Sequence, residues 1–378
     1  MIGIRTENAS RDGFALPAAI IALVLLSALV AGALFISTEE LRAGRVDVMD
    51  QRALTAAEWG LERAILGWNA ERNTRQPVGG EEVVERSGSA PNDSVVVTAV
   101  RVQREAVWLS AIAMAGGDGA RTPARHRIGA SLRFVRADIP VNAALTASGN
   151  VVVDGGRIDG GDTNSPDSSG YCPSPRAAAG VIVGTGERVE CAACGDAPDV
   201  GVYGTPPIDS VGDSARTRIP AATVTSLAAQ AAITLSGGTF MPQPSVAAGQ
   251  CNRADALNWG DPSGTTPCRD RFPIVHVGGD ATLAAGSSGQ GILLVDGSVR
   301  LEGDARYVGV VIAGNDIEVV GIGAEIVGVA FAGDADGVGG SRVGSSGAIR
   351  FSSCAVARAT LGGARLVRTP VRWWVEVR

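Results

Sequence analysis

The sequence repeats itself in steps of 18 or 19 residues: IVHVGGDATLAAG from Ile274, ILLVDGSVRLEG from Ile292, VVIAGNDIEVVG from Val310 and VAFAGDADGVGG from Val329. Each copy begins with an apolar four-residue segment that leads into a turn of glycine, aspartate or asparagine. A strand that bends every few residues needs these residue types, because they adopt positive φ angles at low cost. One copy cannot bury its apolar face alone, whereas stacked copies bury a continuous column of Val, Ile and Leu. The repeat therefore predicts a parallel β-helix.

Related segments occur earlier in the chain, NVVVDGGRIDGG from Asn150 and GVIVGTGE from Gly180. We therefore expect the β-helix to occupy residues 143–350, interrupted by a cysteine-bearing insertion, and residues 351–378 to form a helix and strand cap. An ordinary β-sandwich is the alternative, since three regular steps can arise by chance in a chain rich in glycine and valine.

A second informative segment lies near the N-terminus, where FALPAAIIALVLLSALVAGALFIST occupies residues 14–38 without a charged side chain. A helix of this length crosses a bilayer. Arg5 and Arg11 precede it, and the positive-inside rule keeps that side in the cytoplasm. A secretory signal peptide is a poorer match, because the sequence continues into charged, helix-forming residues with no turn between.

The helical pattern continues without proline through residues 39–70. Apolar residues recur there at helical spacing: Leu54, Ala57, Leu61, Ile65 and Trp68. We predict one helix from Phe14 to about Ala70, with a transmembrane part at 14–38 and an amphipathic stalk at 39–70. By itself this pattern is also typical of a simple membrane anchor followed by a stalk.

The junction between Gly13 and Phe14 joins a charged leader, residues 1–13, to the apolar stretch. It resembles the cleavage site of class III (prepilin) signal peptides, and QRALTAAEWGL, residues 51–61, looks like the A-A-E-x-x-L segment of PilX-type minor pilins. The resemblance covers about 70 residues and implies cleavage after Gly13 by prepilin peptidase, N-methylation of Phe14 and packing of the helix into a filament core. The residues that it assigns to this packing are Pro17, Ala18, Leu54, Ala57, Glu58, Leu61 and Ile65.

The fifth residue after the junction is Ala18, where most major pilins have a glutamate. In the family that glutamate is held to neutralise the terminal amine of an adjacent subunit, because an unpaired charge is costly in a medium of low dielectric. Ala18 cannot do this. A subunit without the carboxylate is best tolerated as a rare member of a filament or at its tip. Pro17 falls in the first turn, where its missing N–H costs little.

Residues 71–142 change character after ERNTRQPVGG interrupts the helical pattern. The segments SVVVTAVRVQ, AVWLSAIAMA and HRIGASLRFV alternate as half-buried strands do. They predict a small antiparallel sheet packed on the upper helix. The fold class is therefore α+β: a long N-terminal helix, a small antiparallel sheet and a mainly β head.

Six cysteines lie downstream of the apolar stretch, where an oxidising compartment permits disulfides: Cys172, Cys191, Cys194, Cys251, Cys268 and Cys354. Cys251 and Cys268 would close a short loop, and Cys172 could pair with either Cys191 or Cys194. A metal site at the Cys191-Ala-Ala-Cys194 pair is a weaker alternative, because a second CxxC or CxxH is missing.

The acidic segment VDGGRIDGGDTNSPD is the one candidate for a catalytic or calcium-binding group. Its spacing does not match a calcium loop, and Asp-Gly-Gly is ordinary turn chemistry; its acidic residues are Asp154, Asp159, Asp162 and Asp167. Neither His126 nor His276 has an evident acid or nucleophile partner, and no hydrolase or phosphate-loop motif occurs. We predict no enzymatic activity and no cofactor. A net charge of −6 gives no basic face for nucleic acid.

Together these patterns predict a minor pilin or pseudopilin of a type IV pilus or a type II secretion-like filament, involved in filament assembly or surface contact. The expected partners are other pilin subunits, prepilin peptidase and the bacterial inner membrane. The chain would cross that membrane once with its head in the periplasm, and would be extracellular in an assembled filament. The alternatives are a membrane-tethered β-helix ectodomain acting as an adhesin or envelope scaffold, and a membrane-anchored polysaccharide-active enzyme.

Overall fold

The computed structural model describes residues 15–88, 93–116, 123–163, 172–192, 201–211, 217–369 and 374–376. Its helices are α1 (Ala15–Leu66), α2 (Arg72–Arg75), α3 (Ala221–Ala229) and α4 (Ser353–Gly362), with a 3₁₀ turn at Pro267–Asp270. The strands are β1 (Glu81–Ser87), β2 (Asp93–Gln103), β3 (Ala106–Ala115), β4 (Ala124–Val135), β5 (Ala143–Ala147), β6 (Val151–Asp154), β7 (Arg157–Asp159), β8 (Ala179–Gly184), β9 (Val189–Cys191), β10 (Gly201–Tyr203), β11 (Ile208–Val211), β12 (Ile233–Phe240), β13 (Val246–Ala247), β14 (Gln250–Cys251), β15 (Ile274–Leu283), β16 (Ser288–Val295), β17 (Val299–Glu302), β18 (Arg306–Ala313), β19 (Ile317–Val320), β20 (Glu325–Ala332), β21 (Ser341–Gly344), β22 (Ala348–Phe351), β23 (Arg365–Arg368) and β24 (Trp374–Glu376).

Helix α1 is a single rod of 52 residues, about 78 Å long at a rise of 1.5 Å per residue. Its last turns pack on an antiparallel sheet whose strands run in the order β1-β2-β3-β4-β23, with β24 also paired to β4. Alternate residues of the sheet face the helix, including Val95, Val97 and Leu109, all of them buried. Gly60 permits a close approach of helix and sheet, because a Cβ atom there would lie 2.2 Å from Cγ1 of Val95.

The predicted repeats form a parallel β-helix with three faces per coil. In one complete coil the faces are residues 292–295, 299–302 and 306–309. The copies predicted from the sequence stack in register, with Ile274 beside Ile292, Ile292 beside Val310, and Val310 beside Val329. The α+β class and the β-helical head are therefore confirmed.

The coils do not stack in the order of the sequence. Strand β5 pairs with β20, β6 with β21 and β7 with β22, so the first coil along the chain lies against the last one. From one end to the other, the described residues of the coils are 233–240, 274–291, 292–309, 310–328, 329–351, 143–159, 179–192 with 201–203, and 208–211. The chain thus enters in the middle, winds to one end, crosses to the other end and winds back.

The crossing segment covers an apolar stripe on the outer surface of the first face. Leu294, Ile312 and Phe331 follow one another on adjacent coils and point outward, yet all three are buried. Leu227 of α3 is buried against this stripe, and Val224 packs beside it. Helix α3 therefore shields the outer apolar stripe from solvent.

One corner of the β-helix requires glycine on three successive coils. Gly291, Gly309 and Gly328 stack on one another with φ angles of 111°, 137° and 140°. A Cβ atom on Gly309 would lie 2.1 Å from the carbonyl oxygen of Gly291, and one on Gly328 would lie 1.9 Å from that of Gly309. Both the backbone angle and the close approach exclude a side chain at this corner.

Helix α4 joins the two cores. Val356 and Ala359 pack into the core of the β-helix, whereas Leu361 and the following Ala364 belong to the core beneath α1. The chain then returns to the antiparallel sheet as β23 and β24. The head is thus attached to the stalk through shared apolar burial.

Candidate assembly surface

The projecting half of α1 is a continuous exposed apolar surface. Every residue from 16 to 48 is exposed, and within this part of α1 the first charged side chain is Glu39. Residues Leu16–Leu66 include a window of mean hydropathy 2.9, none of it buried, and form one helix apolar and long enough to span a membrane. The large apolar side chains exposed in the first half are Leu16, Ile20, Ile21, Leu23, Val24, Leu25, Leu26, Leu29, Val30, Leu34, Phe35 and Ile36.

This surface needs an apolar environment. Covering a large aliphatic or aromatic side chain is worth about 1.5–3 kcal/mol, so covering all twelve is worth about 20–35 kcal/mol. That range exceeds the total stability of a typical domain. Lipid or the apolar helices of other chains would therefore stabilise residues 16–38 far better than water does.

Electrostatic contacts fix the rest of α1 to the antiparallel sheet. The carboxylate of Asp50 lies 2.7 Å from Nε2 of His126 on β4, and Arg63 donates to Glu85 of β1 at 3.1 Å. His126 therefore has a structural partner that the sequence did not reveal. These contacts add to the apolar packing of Ala57 and Leu61 against the same sheet.

The two residues assigned to processing, Gly13 and Phe14, lie outside the described residues. The residues assigned to filament packing fall into two groups. Pro17 and Ala18 lie exposed in the first turn of α1, and Glu58 is exposed on its upper part.

The other four contact the chain's own sheet. Ala57 and Leu61 are buried beneath it, and Leu54 and Ile65 are half-buried at its margin. Within one chain Ala57 and Leu61 thus pack on the sheet, and the assignment of these residues to filament packing stays a prediction. The sheet occupies that face of the helix first, because it lies in the same chain.

One disulfide closes a short loop and another joins segments 182 residues apart. Cys251 is bonded to Cys268, the pair that would close a short loop. Cys172 is bonded to Cys354, not to Cys191 or Cys194, and so connects the insertion after β7 to α4. The different pairing of Cys172 arises because the coil at 143–159 stacks on the coil at 329–351, which brings α4 to the insertion. Cys191 is also disulfide-bonded, and Cys194 lies outside the described residues.

The candidate acidic cluster is divided among separate partners. Asp154 accepts from Arg342 at 2.5 Å, and Asp159 accepts from Arg157 at 2.7 Å. Asp162 accepts from the backbone N–H of Ser353 at 3.1 Å and so caps the start of α4. Asp167 lies outside the described residues. Among those described, no group of three or more His, Cys, Asp or Glu side chains is placed to hold a metal ion.

Two further acidic groups have shifted pKa values. Burial raises the pKa of Asp316, and the neighbouring carboxylates of Asp334 and Asp336 raise it further. Burial also raises the pKa of Asp270, against the opposing effect of Arg358. The carboxylate of Asp270 lies 3.7 Å from Nη2 of Arg358 and so has a cationic partner.

Sequence reasoning missed the residues that attach the stalk to the head. Asn73 is fully buried and donates from Nδ2 to the carbonyl oxygens of Leu361 at 3.0 Å and Ala364 at 3.1 Å. Arg101, also fully buried, donates from Nη1 to the carbonyl oxygen of Asn73 at 3.0 Å. No sequence pattern predicts these contacts, because the partners of Asn73 lie almost 300 positions away along the chain.

No protein-family model matches the chain, and no curated protein is significantly similar to it. Among solved structures, it is similar to the crystal structure of the competence-associated pilin ComZ from Thermus thermophilus at 13% sequence identity. The alignment covers 87% of this chain and 98% of that chain, with a TM-score of 0.24. At this TM-score the two chains do not superpose as one fold, so neither the fold nor the function of this chain rests on the match.

Proposed function

We propose that the chain is a pilin-like structural subunit, a minor pilin or pseudopilin of a type IV pilus or a type II secretion-like filament. The observation that carries the proposal is the form of α1. One unbroken helix is apolar and exposed over its first half and is fixed to a folded head over its last turns. Such a rod transmits the position of the head rigidly to whatever surrounds its apolar half.

In this proposal the subunit occupies two environments in turn, the membrane and then the filament. It first resides in the bacterial inner membrane, crossing once with the head in the periplasm, and prepilin peptidase cleaves after Gly13 and methylates Phe14. The apolar helix then leaves the lipid for a bundle of like helices from other pilin subunits. The β-helix acts as a structural, non-enzymatic head that serves assembly or surface contact, and it does not bind nucleic acid.

The second candidate is a tethered ectodomain that never enters a filament. It is favoured by the length of the uncharged stretch, which suits a single bilayer crossing. A tether, however, does not need to continue as one rigid helix into the head. In the tethered protein the leader, residues 1–13, would persist.

The test is the intact mass and N-terminal sequence of the full chain made in a host that has prepilin peptidase. We expect loss of residues 1–13 and a methyl group on the amine of Phe14. A variant with Gly13→Val is the control, because a branched residue should block cleavage. Retention of residues 1–13 in a cell that trims its own prepilins would contradict the proposal.

Ala18 offers a second measurement in the same host. Introducing a carboxylate by Ala18→Glu should leave the amount of subunit in sheared filaments unchanged or higher, because the carboxylate can pair with a neighbouring terminal amine. Strongly reduced incorporation of this variant would count against the proposed helix environment.

A further inference from the structure

A groove of about 460 Å³ lies where the stalk meets the first coils of the β-helix. One wall consists of the chain that follows α1, including Trp68 and Glu71, and another consists of residues 271–274, including Phe272. Three arginines line it: Arg253, Arg271 and Arg365. The groove thus combines aromatic surface with an excess of positive charge.

Arg271 is the unusual member of this set. Its side chain and backbone are only 8% exposed, and Nε donates to the carbonyl oxygen of Asn258 at 3.0 Å. Within the described residues, its two Nη atoms make no hydrogen bond or ion pair. Both Nη atoms retain some solvent exposure. Because Arg271 lines the groove, we infer that they face it. A buried charge without a partner is costly, and proteins normally pair it.

The carboxylates near Arg271 are already engaged. Glu71 receives two hydrogen bonds from Arg253, at 2.8 and 2.9 Å. Asp255 accepts from the backbone N–H of Leu257 at 2.9 Å. Burial lowers the pKa of Arg271, and the charges of Glu71 and Asp255 only partly oppose this. The groove retains positive charge that the described part of the chain does not neutralise.

We propose that this groove binds a carboxylate carried on an apolar body, with the two Nη atoms of Arg271 donating to the carboxylate. The planar guanidinium fork matches a carboxylate. Phe272 and Trp68 supply apolar surface for the body of the ligand. A doubly charged, strongly hydrated phosphate is a poorer match, because the same walls offer it few hydrogen-bond donors.

The experiment is calorimetric titration of the full chain in detergent with three probes: benzoate, its neutral isostere benzamide, and inorganic phosphate. Titrations into empty micelles provide the blank. We expect one benzoate per chain and no detectable binding of benzamide or phosphate. Arg271→Lys keeps the charge but removes the fork, and should weaken benzoate binding at least tenfold. Arg300→Lys, an exposed position on β17, is the matched control and should bind as the unaltered chain does.

Thermal melts keep the result interpretable if Arg271→Lys alters folding. Saturating benzoate should raise the melting temperature of the unaltered chain and of Arg300→Lys, because it binds the folded state alone. Benzamide should raise neither. Equal effects of benzoate and benzamide, tighter binding of phosphate than of benzoate, or undiminished binding by a folded Arg271→Lys variant would each overturn the proposal.

Discussion

The side chain of Asn73 makes three hydrogen bonds, two of which join the stalk to the head, and Asn73→Ala removes all three. Two are donated to the carbonyl oxygens of Leu361 and Ala364. The third is accepted from Nε1 of Trp68 at 2.8 Å. At about 1 kcal/mol for each bond, the free energy of unfolding should fall by about 3 kcal/mol. The carbonyl oxygen of Leu361 still receives the backbone N–H of Ala364, so the loss should not be much greater.

The assay is denaturant unfolding of the full chain in detergent, followed by tryptophan fluorescence, with Asn315→Ala as the matched control. The Asn315 side chain makes no hydrogen bond within the described residues, and its replacement should change stability by less than about 0.5 kcal/mol. Asn73→Asp should cost at least as much as Asn73→Ala, because it places a carboxylate oxygen against two carbonyl oxygens. A loss below about 1 kcal/mol for Asn73→Ala, or Asn73→Asp more stable than Asn73→Ala, would refute the reasoning.

Two other substitutions should increase stability. The hydroxyl of Tyr307 is buried within the β-helix and has no hydrogen-bond partner among the described residues, so Tyr307→Phe should raise the free energy of unfolding by about 1 kcal/mol; a lower denaturation midpoint would contradict this. Burial and the charge of Asp334 raise the pKa of Asp316 above its ordinary value of 3.8. The folded state therefore binds a proton at Asp316 more tightly than the unfolded state does. As a result, the unaltered chain gains stability as pH falls through the raised pKa. Asp316→Asn should therefore be the more stable form at pH 7, with the difference shrinking towards pH 4; a difference independent of pH would exclude Asp316 as its source.

The order of the coils could not be predicted from the sequence. The β5 segment at Ala143–Ala147 and the β8 segment at Ala179–Gly184 are as apolar as the repeats after Ile274. The sequences of strands with such similar composition do not specify which strand pairs with which. Pairing of β5 with β20 depends on closing a loop of almost 190 residues, so it follows from how the whole chain packs. The Cys172–Cys354 disulfide depends on that pairing.

The sequence by itself determined the features whose physical cause is local. The uncharged stretch at 14–38 fixes an apolar helix, and the 18-residue spacing of glycine and apolar segments fixes the register between successive coils after Ile274. Tertiary structure alone decided which side of α1 remains available to other molecules, because burying Ala57 and Leu61 requires a sheet formed more than 30 residues later. It also decided that Arg271 is buried beside the stalk with two Nη atoms that make no hydrogen bond to any described residue. Burial depends on everything that packs around a side chain, not on its neighbours in sequence.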